Sequence, residues 1–313
     1  MAIVSVQNLK KSYGNVQALR GLTFDVNEGE IYGIIGPDGA GKTSLFRILT
    51  TLLLANEGEA TVDGLDVVKN YKQIRKQIGY MPGRFSLYPD LSVEENLTFF
   101  ATIFNTTIQE NYYLVEDIYK QIEPFKTRKA GKLSGGMKQK LALSCALIHA
   151  PRVLFLDEPT TGVDPVSRKE FWDMLTKLKK HGITILVSTP YMDEAVLCDR
   201  IALILDGEFM QVDTPQNIIN GYSETIWSVK TNRMHPLLTD LRQCAEVNSA
   251  FSFGETFHVT AGKGTAADAQ EALSADTLKA FLESKGHRQI EITPIHATIE
   301  DCFMLLTGQK NER

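Results

Sequence analysis

The chain has 313 residues, enough for one large domain and a smaller one. It is 43% hydrophobic with a formal net charge of −5, which is ordinary for a globular protein and disfavours a nucleic-acid binder. No apolar run is long enough to predict a membrane-spanning helix, and the N-terminus lacks a signal-peptide pattern, so we expect a cytosolic chain. The four cysteines are scattered without the spacing of a metal site, so we expect buried, reduced thiols.

The first two thirds of the chain alternate apolar runs with helical patterns, which is typical of a parallel α/β sheet. The predicted strands are Ile3–Val6, Leu22–Val26, Ile31–Ile35, Val153–Leu156 and Ile183–Val187. A helix is predicted from Thr43 to Leu54. A mostly helical region runs from Ser92 to Ile148, where Ser92 and Glu95 have the spacing of a capping box.

The pattern changes around Asn220 to shorter elements, which predicts a small α+β domain over residues 221–313. The strands expected there are 226–229, 256–259 and 289–292, and the helices are 237–243 and 277–285. No phosphate-binding or metal-binding motif occurs in this part of the chain. Its role is left open by the sequence.

A glycine-rich segment lies between a predicted buried strand and a predicted helix, and it matches the phosphate-loop pattern in full. Its residues are Gly36, Pro37, Asp38, Gly39, Ala40, Gly41, Lys42 and Thr43. Glycines let several backbone N–H groups turn toward one phosphate chain, and the helix N-terminus favours negative charge. We therefore expect this loop and the following Ser44 to bind ATP. Lys42 is expected to act at the β and γ phosphates and Thr43 to ligate Mg²⁺.

Two acidic residues follow the apolar run Leu154–Leu156. A buried strand presents them at its carboxyl end, where parallel α/β sheets bind their ligands. We expect Asp157 to hold Mg²⁺ and Glu158 to act as the general base toward the attacking water.

The five residues Leu133-Ser134-Gly135-Gly136-Met137 resemble the signature motif of the ABC ATPases, which usually ends in Gln. The resemblance implies an ATP-binding domain over 1–220, with a RecA-like parallel sheet, an antiparallel β subdomain and a helical signature subdomain over about 85–148. It also implies a head-to-tail dimer. In that dimer Ser134, Gly135, Gly136 and Met137 would bind the γ-phosphate of the partner's ATP, the segment Thr161–Asp164 would communicate across the interface, and Tyr13 would lie on the adenine.

Three further segments resemble the ATPases of ABC-2 type exporters, the drug and polysaccharide export class. They are Met137–Lys140, Tyr191–Ala195 and the closing stretch Thr298–Phe303. This resemblance implies an ATPase coupled to transport, with integral membrane permease subunits as partners and no nucleic acid. It places the protein in the cytoplasm, on the inner face of the cell membrane through its permease.

Two other functions compete with transport. A soluble ABC ATPase of DNA repair or translation is disfavoured, because the chain has a single ATPase core and no heptad pattern between the phosphate loop and the signature. A regulatory module that binds ATP without hydrolysing it stays open. Glu158 argues against such a module, whereas Pro190 argues for it.

The sequence departs from the family pattern at two positions of its own ATP site. Gly83 stands where the family usually has Gln, and Pro190 stands where it usually has His. Proline has no donor for the γ-phosphate, whereas the signature is intact. We therefore expect a slow site in this chain, low activity of the isolated chain, and a heterodimer with a second ABC ATPase rather than a homodimer.

Overall fold

A computed structural model describes residues 2–261 and 274–311, with side chains through Gly308. The chain divides into two compact units, Met1–Pro215 and Gln216–Arg313. This division falls at the first residue of the helix Pro215–Asn220, whereas the sequence placed the boundary after its last residue.

Over its described residues 2–215, the first unit contains ten strands and six α-helices, and it ends at the first residue of a seventh helix. Its strands are β1 (Ala2–Tyr13), β2 (Val16–Asn27), β3 (Ile31–Ile35), β4 (Glu57–Val62), β5 (Leu65–Asp66), β6 (Ile78–Met81), β7 (Val153–Asp157), β8 (Thr184–Thr189), β9 (Arg200–Leu205) and β10 (Glu208–Asp213). Its helices are α1 (Lys42–Leu49), α2 (Tyr71–Gln77), α3 (Val93–Ile103), α4 (Tyr112–Ile122), α5 (Gly135–Leu147), α6 (Pro165–Lys180) and the start of α7 (Pro215–Asn220). Short 3₁₀ helices occur at Glu123–Phe125, Ala130–Lys132 and Met192–Leu197.

Two sheets organise this unit, and both were expected. Strands β2-β1-β4-β5 form an antiparallel sheet, and β10-β9-β3-β8-β7-β6 form a second sheet that is parallel except for β10. The central strand β8 pairs with β3 on one side and β7 on the other, and Ser188 lies opposite both Ile34 and Asp157. The segments that follow β3, β7 and β8 therefore meet at one edge of the sheet.

Strands β3, β7 and β8 lie in the core of the first unit, which accounts for their mostly apolar sequences. Every residue of β3, β7 and β8 is buried, as expected for parallel strands covered on both faces. Helix α1 packs on one face, where the Phe46 and Phe155 rings meet edge to face with centroids 6.0 Å apart. In the helical region, α5 packs against α3 and α4. The capping box of α3 is present, with the Ser92 N–H donating to the Glu95 carboxylate and the Glu95 N–H donating to Ser92 Oγ.

Two predicted boundaries were wrong for a reason that the backbone shows. Helix α1 ends at Leu49 rather than Leu54, because Thr51 adopts a left-handed conformation with φ of 64°. The strand predicted over 289–292 begins at Glu291, because Gln289 has φ of 50° and cannot extend the strand. Other bounds differ as well: β1 and β2 are longer than predicted, and the helix predicted over 237–243 runs from Met234 to Leu241.

The second unit is an α+β arrangement, as expected. Its elements are β11 (Ile226–Lys230), α8 (Met234–Leu241), β12 (Val247–Phe253), β13 (Thr256–Ala261), α9 (Ala275–Ser284), β14 (Glu291–Ile295) and α10 (Ile299–Asn311). The strands form an antiparallel sheet in the order β12-β13-β11-β14. Helices α8 and α9 cover one face of this sheet through the buried residues Leu237, Leu241, Leu278 and Leu282.

The expectations for the cysteines and for membrane-spanning helices can also be compared with the structure. All four cysteines are buried free thiols. Within residues 2–261 and 274–311, no helix is both long enough and apolar enough to cross a membrane.

Phe155→Ala should lower the free energy of unfolding by about 3–5 kcal/mol, because it removes a fully buried ring from beneath α1. Denaturant unfolding of the whole chain measures this loss. Val166→Ala is the matched control, since Val166 is 70% exposed and should change stability by less than about 0.5 kcal/mol. Similar losses in both variants would contradict the packing described for β7 and α1.

Candidate active site

The loop between β3 and α1 has a backbone that only glycine permits at two positions. Gly41 has φ of 106°, and a Cβ placed there would lie 2.3 Å from the Ala18 carbonyl oxygen. A Cβ at Gly36 would lie 2.2 Å from the Ile204 carbonyl oxygen. Gly41 is also the N-cap of α1, and it provides no side-chain cap for the first N–H groups of that helix. Those N–H groups form a ready site for an anion.

Lys42 is the buried cation of this loop, with only 2% of its side chain exposed. Its ammonium group donates to the carbonyl oxygens of Gly36 and Pro37 at 2.8 and 2.9 Å. It also forms an ion pair with Glu158, at 3.0 Å between Nζ and Oε1. A buried ammonium needs a compensating anion, and Glu158 supplies it here. The two residues expected to be catalytic are therefore in direct contact.

Asp157 lies at the end of β7 and is nearly fully buried. Its Oδ1 atom accepts hydrogen bonds from Ser188 Oγ at 2.7 Å and from Thr43 Oγ1 at 3.2 Å. Burial raises the pKa of this carboxyl above its usual range, and the bonds from Ser188 and Thr43 offset part of the rise. Ser188 Oγ also accepts from the Glu158 N–H at 3.0 Å, so one serine positions both acidic residues.

The pair formed by Thr43 and Asp157 fits Mg²⁺. A hydroxyl and a carboxylate are the hard oxygen ligands that this ion prefers, usually with several waters completing its shell. Their oxygen atoms lie 3.2 Å apart. Two adjacent ligands of an octahedral Mg²⁺ are about 3 Å apart, given metal–oxygen distances of about 2.0–2.1 Å.

The signature residues begin α5. Ser134 is its N-cap, and its Oγ accepts from the Met137 N–H at 3.3 Å. A Cβ at Gly136 would lie 3.1 Å from Ser167 Oγ at the start of α6. Among the hydrogen bonds and ion pairs of the described residues, none joins 134–137 to the loop 36–43. The two expected parts of the nucleotide site are thus not brought together within one chain.

Tyr13 ends β1, with nearly half of its surface exposed. Its phenol oxygen lies 3.2 Å from Ser44 Oγ, so the ring stands beside the first turn of α1. The Lys11 ammonium lies 5.4 Å from the centre of the same ring. An exposed aromatic face next to the phosphate loop is the geometry that stacking on a base requires.

Gly83 and Pro190, the two unusual positions, both border this edge of the sheet. A Cβ on Gly83 would lie 3.0 Å from the Asp157 carbonyl oxygen and 3.7 Å from Glu158 Cβ. Pro190 directly follows β8, whose last carbonyl, on Thr189, accepts from the Gly36 N–H at 3.2 Å. Gly83 is therefore adjacent to the acidic pair Asp157 and Glu158. Pro190 follows the residue whose carbonyl bonds the first residue of the phosphate loop.

A family model described as ABC transporter matches residues 19–161. A probable multidrug ABC transporter ATP-binding protein of Escherichia coli (strain K12) is 42% identical over 219 residues, which make up 69% of this chain and 38% of that protein. A daunorubicin resistance ATP-binding protein of Streptomyces coeruleorubidus is 34% identical over 317 residues, covering 99% of this chain and 96% of that protein. The chain belongs to the ABC transporter family, as an ATP-binding protein. The family resemblance drawn from the sequence is thereby confirmed, and the names of these relatives are consistent with an exporter-type ATPase.

A solved dimeric ATP-binding cassette, in a post-hydrolysis state with ADP and Pi, aligns with this chain at a TM-score of 0.61 and 28% identity. It covers 67% of this chain and 98% of that cassette. The fold of the first unit is therefore that of an ABC ATPase, as expected, and nucleotide binding belongs to the family.

Sequence reasoning missed two groups in this ABC ATPase. The first is Ser188, for which the available signal was a polar side chain at the end of a predicted buried strand. The second group fixes the segment after β8. Arg168 pairs with Glu194 at 3.0 Å, Glu194 accepts from Thr189 Oγ1 at 2.5 Å, and the Arg168 guanidinium lies 4.1 Å from the Tyr191 ring. These residues come from α6, β8 and a 3₁₀ helix, so no local pattern joins them.

Asp157→Asn should leave the thermal midpoint of the nucleotide-free chain unchanged or higher, while removing ATP hydrolysis. Because the pKa of Asp157 is raised in the folded state, the native chain binds more protons there than the unfolded chain. Ionisation of Asp157, as the pH rises through its pKa in the folded state, therefore lowers the free energy of unfolding. An amide avoids this cost, and its oxygen still accepts from Ser188 and Thr43.

Asp164→Asn is the control, and it should lower the thermal midpoint instead. A hydrogen bond from the Ser167 backbone lowers the pKa of Asp164, so its ionised form stabilises the chain at neutral pH and this contribution is lost on acidification. Thermal unfolding near neutral pH compares the three proteins. A midpoint for Asp157→Asn that is lower by about 5 °C or more would contradict the burial effect.

Proposed function

We propose that this ABC ATPase binds Mg²⁺ and ATP at its phosphate loop, hydrolyses the ATP slowly, and powers a separate membrane permease of the exporter type. The observation that carries the proposal is the contact set formed by Lys42, Thr43, Asp157 and Glu158 at the end of β3, β7 and β8. The export class rests on relatives named for multidrug transport and daunorubicin resistance. In this proposal the protein works in the cytoplasm, on the inner face of the cell membrane.

The roles of the site residues follow from their positions. Residues 36–44 hold the phosphates through the loop and helix N–H groups, with Lys42 at the β and γ phosphates and Tyr13 against the adenine. Thr43 and Asp157 hold Mg²⁺, which supplies positive charge to the phosphates when bound. Glu158 accepts a proton from the attacking water. Because the Lys42 ammonium group is paired with Glu158, the phosphates of ATP would compete with this base for the same ammonium group.

The slow site follows from Pro190 and Gly83. Pro190 offers neither a side-chain donor nor an N–H group to charge that develops on the γ-phosphate. Losing one such donor costs about 10²–10³ in rate. Gly83 has no side chain to reach the metal position, although it lies against Asp157. ATP binding depends mainly on the loop, so it is much less affected than hydrolysis.

The segment after β8 has little freedom to compensate for Pro190. Glu194 is only 2% exposed, and it bonds both Thr189 Oγ1 and Arg168. Arg168 also pairs with Asp193. This network fixes both flanks of Pro190, so another donor does not easily move into its place.

The intact signature supports a heterodimer. In a head-to-tail dimer the residues 134–137 serve the ATP of the partner, whereas Gly83 and Pro190 weaken only the chain's own site. The proposed partner is therefore a second ABC ATPase that retains Gln and His at these two positions. A module that never hydrolyses ATP is the second candidate, and the Lys42–Glu158 pair favours it only if this pair persists when ATP is bound.

The domain assignment is also part of the proposal. We assign residues 1–220 to ATP binding, with a helical signature subdomain over about 85–148, and residues 221–313 to an accessory domain. The structural division at Pro215 supports two domains with a junction near this position.

Pro190→His is expected to raise ATP turnover of the isolated chain at least about tenfold, because it restores a donor to the γ-phosphate. Steady-state phosphate release measures turnover, and a fluorescent nucleotide measures binding, which should change little. Glu158→Gln in both backgrounds is the control, since it should remove turnover and keep binding. Equal turnover of the wild type and Pro190→His would refute the slow site.

Ser134→Ala should reduce ATP turnover of the assembled transporter more than Glu158→Gln does, because Ser134 serves the faster, partner site. Ser92→Ala is the matched control. Ser92 is also an N-cap whose Oγ accepts an N–H from the first turn of its helix, but it lies outside the signature. Turnover is compared in the complete complex with its second ATPase. A larger loss from Glu158→Gln would show that the chain's own site is not the slower one, and an equal loss from Ser92→Ala would show that the loss does not come from the signature. Either result would contradict the proposed asymmetry.

A further inference from the structure

A cavity of about 560 Å³ lies within the second unit, in the size range of small-molecule sites. Its lining is formed by β12, β13, α10 and the segment before β11. The polar lining residues are Tyr222, Glu224, Asn248, Ser249, His258, Thr260 and Asp301. The main apolar ones are Val247, Phe251, Met304 and Leu305.

The cavity is built on the face of the sheet that is not used for the core of this unit. Ser249 pairs with Thr260 and Phe251 with His258 across β12 and β13, so these side chains share one face. Ala250 and Val259, on the opposite face, are buried in the cluster with α8 and α9. The sheet therefore has one apolar face that folds the unit and one mixed face that lines a cavity.

Helix α10 supplies the facing wall through one stripe of residues. Asp301, Met304, Leu305 and Gly308 have the i, i+3, i+4, i+7 spacing of a single helix face. A different stripe, Ile299, Cys302 and Phe303, is buried. Gly308 leaves open space, since a Cβ there would meet nothing within 4 Å.

The two carboxylates in the cavity differ in their hydrogen-bond partners. Asp301 bonds His258 Nδ1 at 2.7 Å and accepts from the Thr298 N–H and hydroxyl at 2.8 and 2.6 Å. The His258 ring is in turn stacked on Phe253, with centroids 3.8 Å apart. Among the described residues, Glu224 Oε2 is buried and has no hydrogen-bond partner. A buried carboxylate oxygen without a donor is costly, so this atom marks the place where a ligand would donate.

The charge of the lining selects the kind of ligand. Among the described residues that line the cavity there is no Lys or Arg, while Glu224 and Asp301 are both acidic. Burial and these two carboxylates raise the pKa of Tyr222, so its phenol stays neutral. In the described part of the chain, no group of three or more His, Cys, Asp or Glu residues is arranged to hold a metal. An organic cation fits better than a metal ion, and Phe251, Met304 and Leu305 offer contacts for an apolar body.

We propose that this cavity binds a small organic ammonium ion with an apolar body, with the ammonium group donating to Glu224. The phosphate loop and the signature have no part in this site. Its existence can therefore be tested independently of how fast the protein hydrolyses ATP.

The experiment uses three probes of nearly equal shape on the full chain, with binding followed by calorimetry or NMR titration. They are phenethylammonium, the neutral 2-phenylethanol and the anion 3-phenylpropionate. The ammonium probe should bind saturably below about 10 mM and at least about tenfold more tightly than the neutral one, because charge-assisted hydrogen bonds are stronger. The anion should not bind.

Glu224→Gln keeps the shape of the side chain and should remove most of the preference for the ammonium probe. Glu255→Gln is the matched control in the same unit, because Glu255 is exposed and pairs only at the surface with Lys230. ATP binding, measured on each variant, should stay unchanged and reports that the first unit is folded, and an unchanged thermal unfolding curve reports the same for the second unit. Equal binding of all three probes, no saturable binding of phenethylammonium, or an unchanged preference in Glu224→Gln would each overturn the proposal.

Discussion

The buried ammonium group of Lys42 is the constraint on which the active site depends. It can stay buried only with close oxygen partners, and the loop provides two through the carbonyls of Gly36 and Pro37. The compensating negative charge comes from Glu158. In the proposed function, the ATP phosphates compete with Glu158 for this same ammonium group.

The strand order explains why one edge of the sheet gathers these groups. Because β8 lies between β3 and β7, it contributes Thr189 O to the start of the loop and Ser188 to both acidic residues. Pro190 follows this shared strand directly. In the proposed slow site, Pro190 leaves the shape of the loop unchanged and removes only a donor to the charge that develops on the γ-phosphate.

The sequence predicted what local patterns encode and missed what only the tertiary fold brings together. The phosphate loop, β7 and the capping box of α3 each lie within one short segment, and all were predicted correctly. The end of α1 was wrong because Thr51 adopts positive φ, which no apolar periodicity reveals. Ser188 and the Arg168–Glu194 pair were missed because their partners lie 26 to 31 positions away in the chain. The cavity of the second unit was invisible for the same reason, as its lining comes from four separate segments.

The phosphate loop and the proposed site in the second unit differ in whether a buried charged group already has a partner. At the phosphate loop, the Lys42 ammonium group is paired with Glu158, so ATP phosphates would compete with an ion pair. In the second unit, Glu224 Oε2 has no hydrogen-bond partner among the described residues, so a ligand that donates to it displaces no other protein group. The first arrangement suits a site that must release its ligand after every cycle. The second suits a site that discriminates by charge, because a neutral or anionic ligand leaves the carboxylate uncompensated.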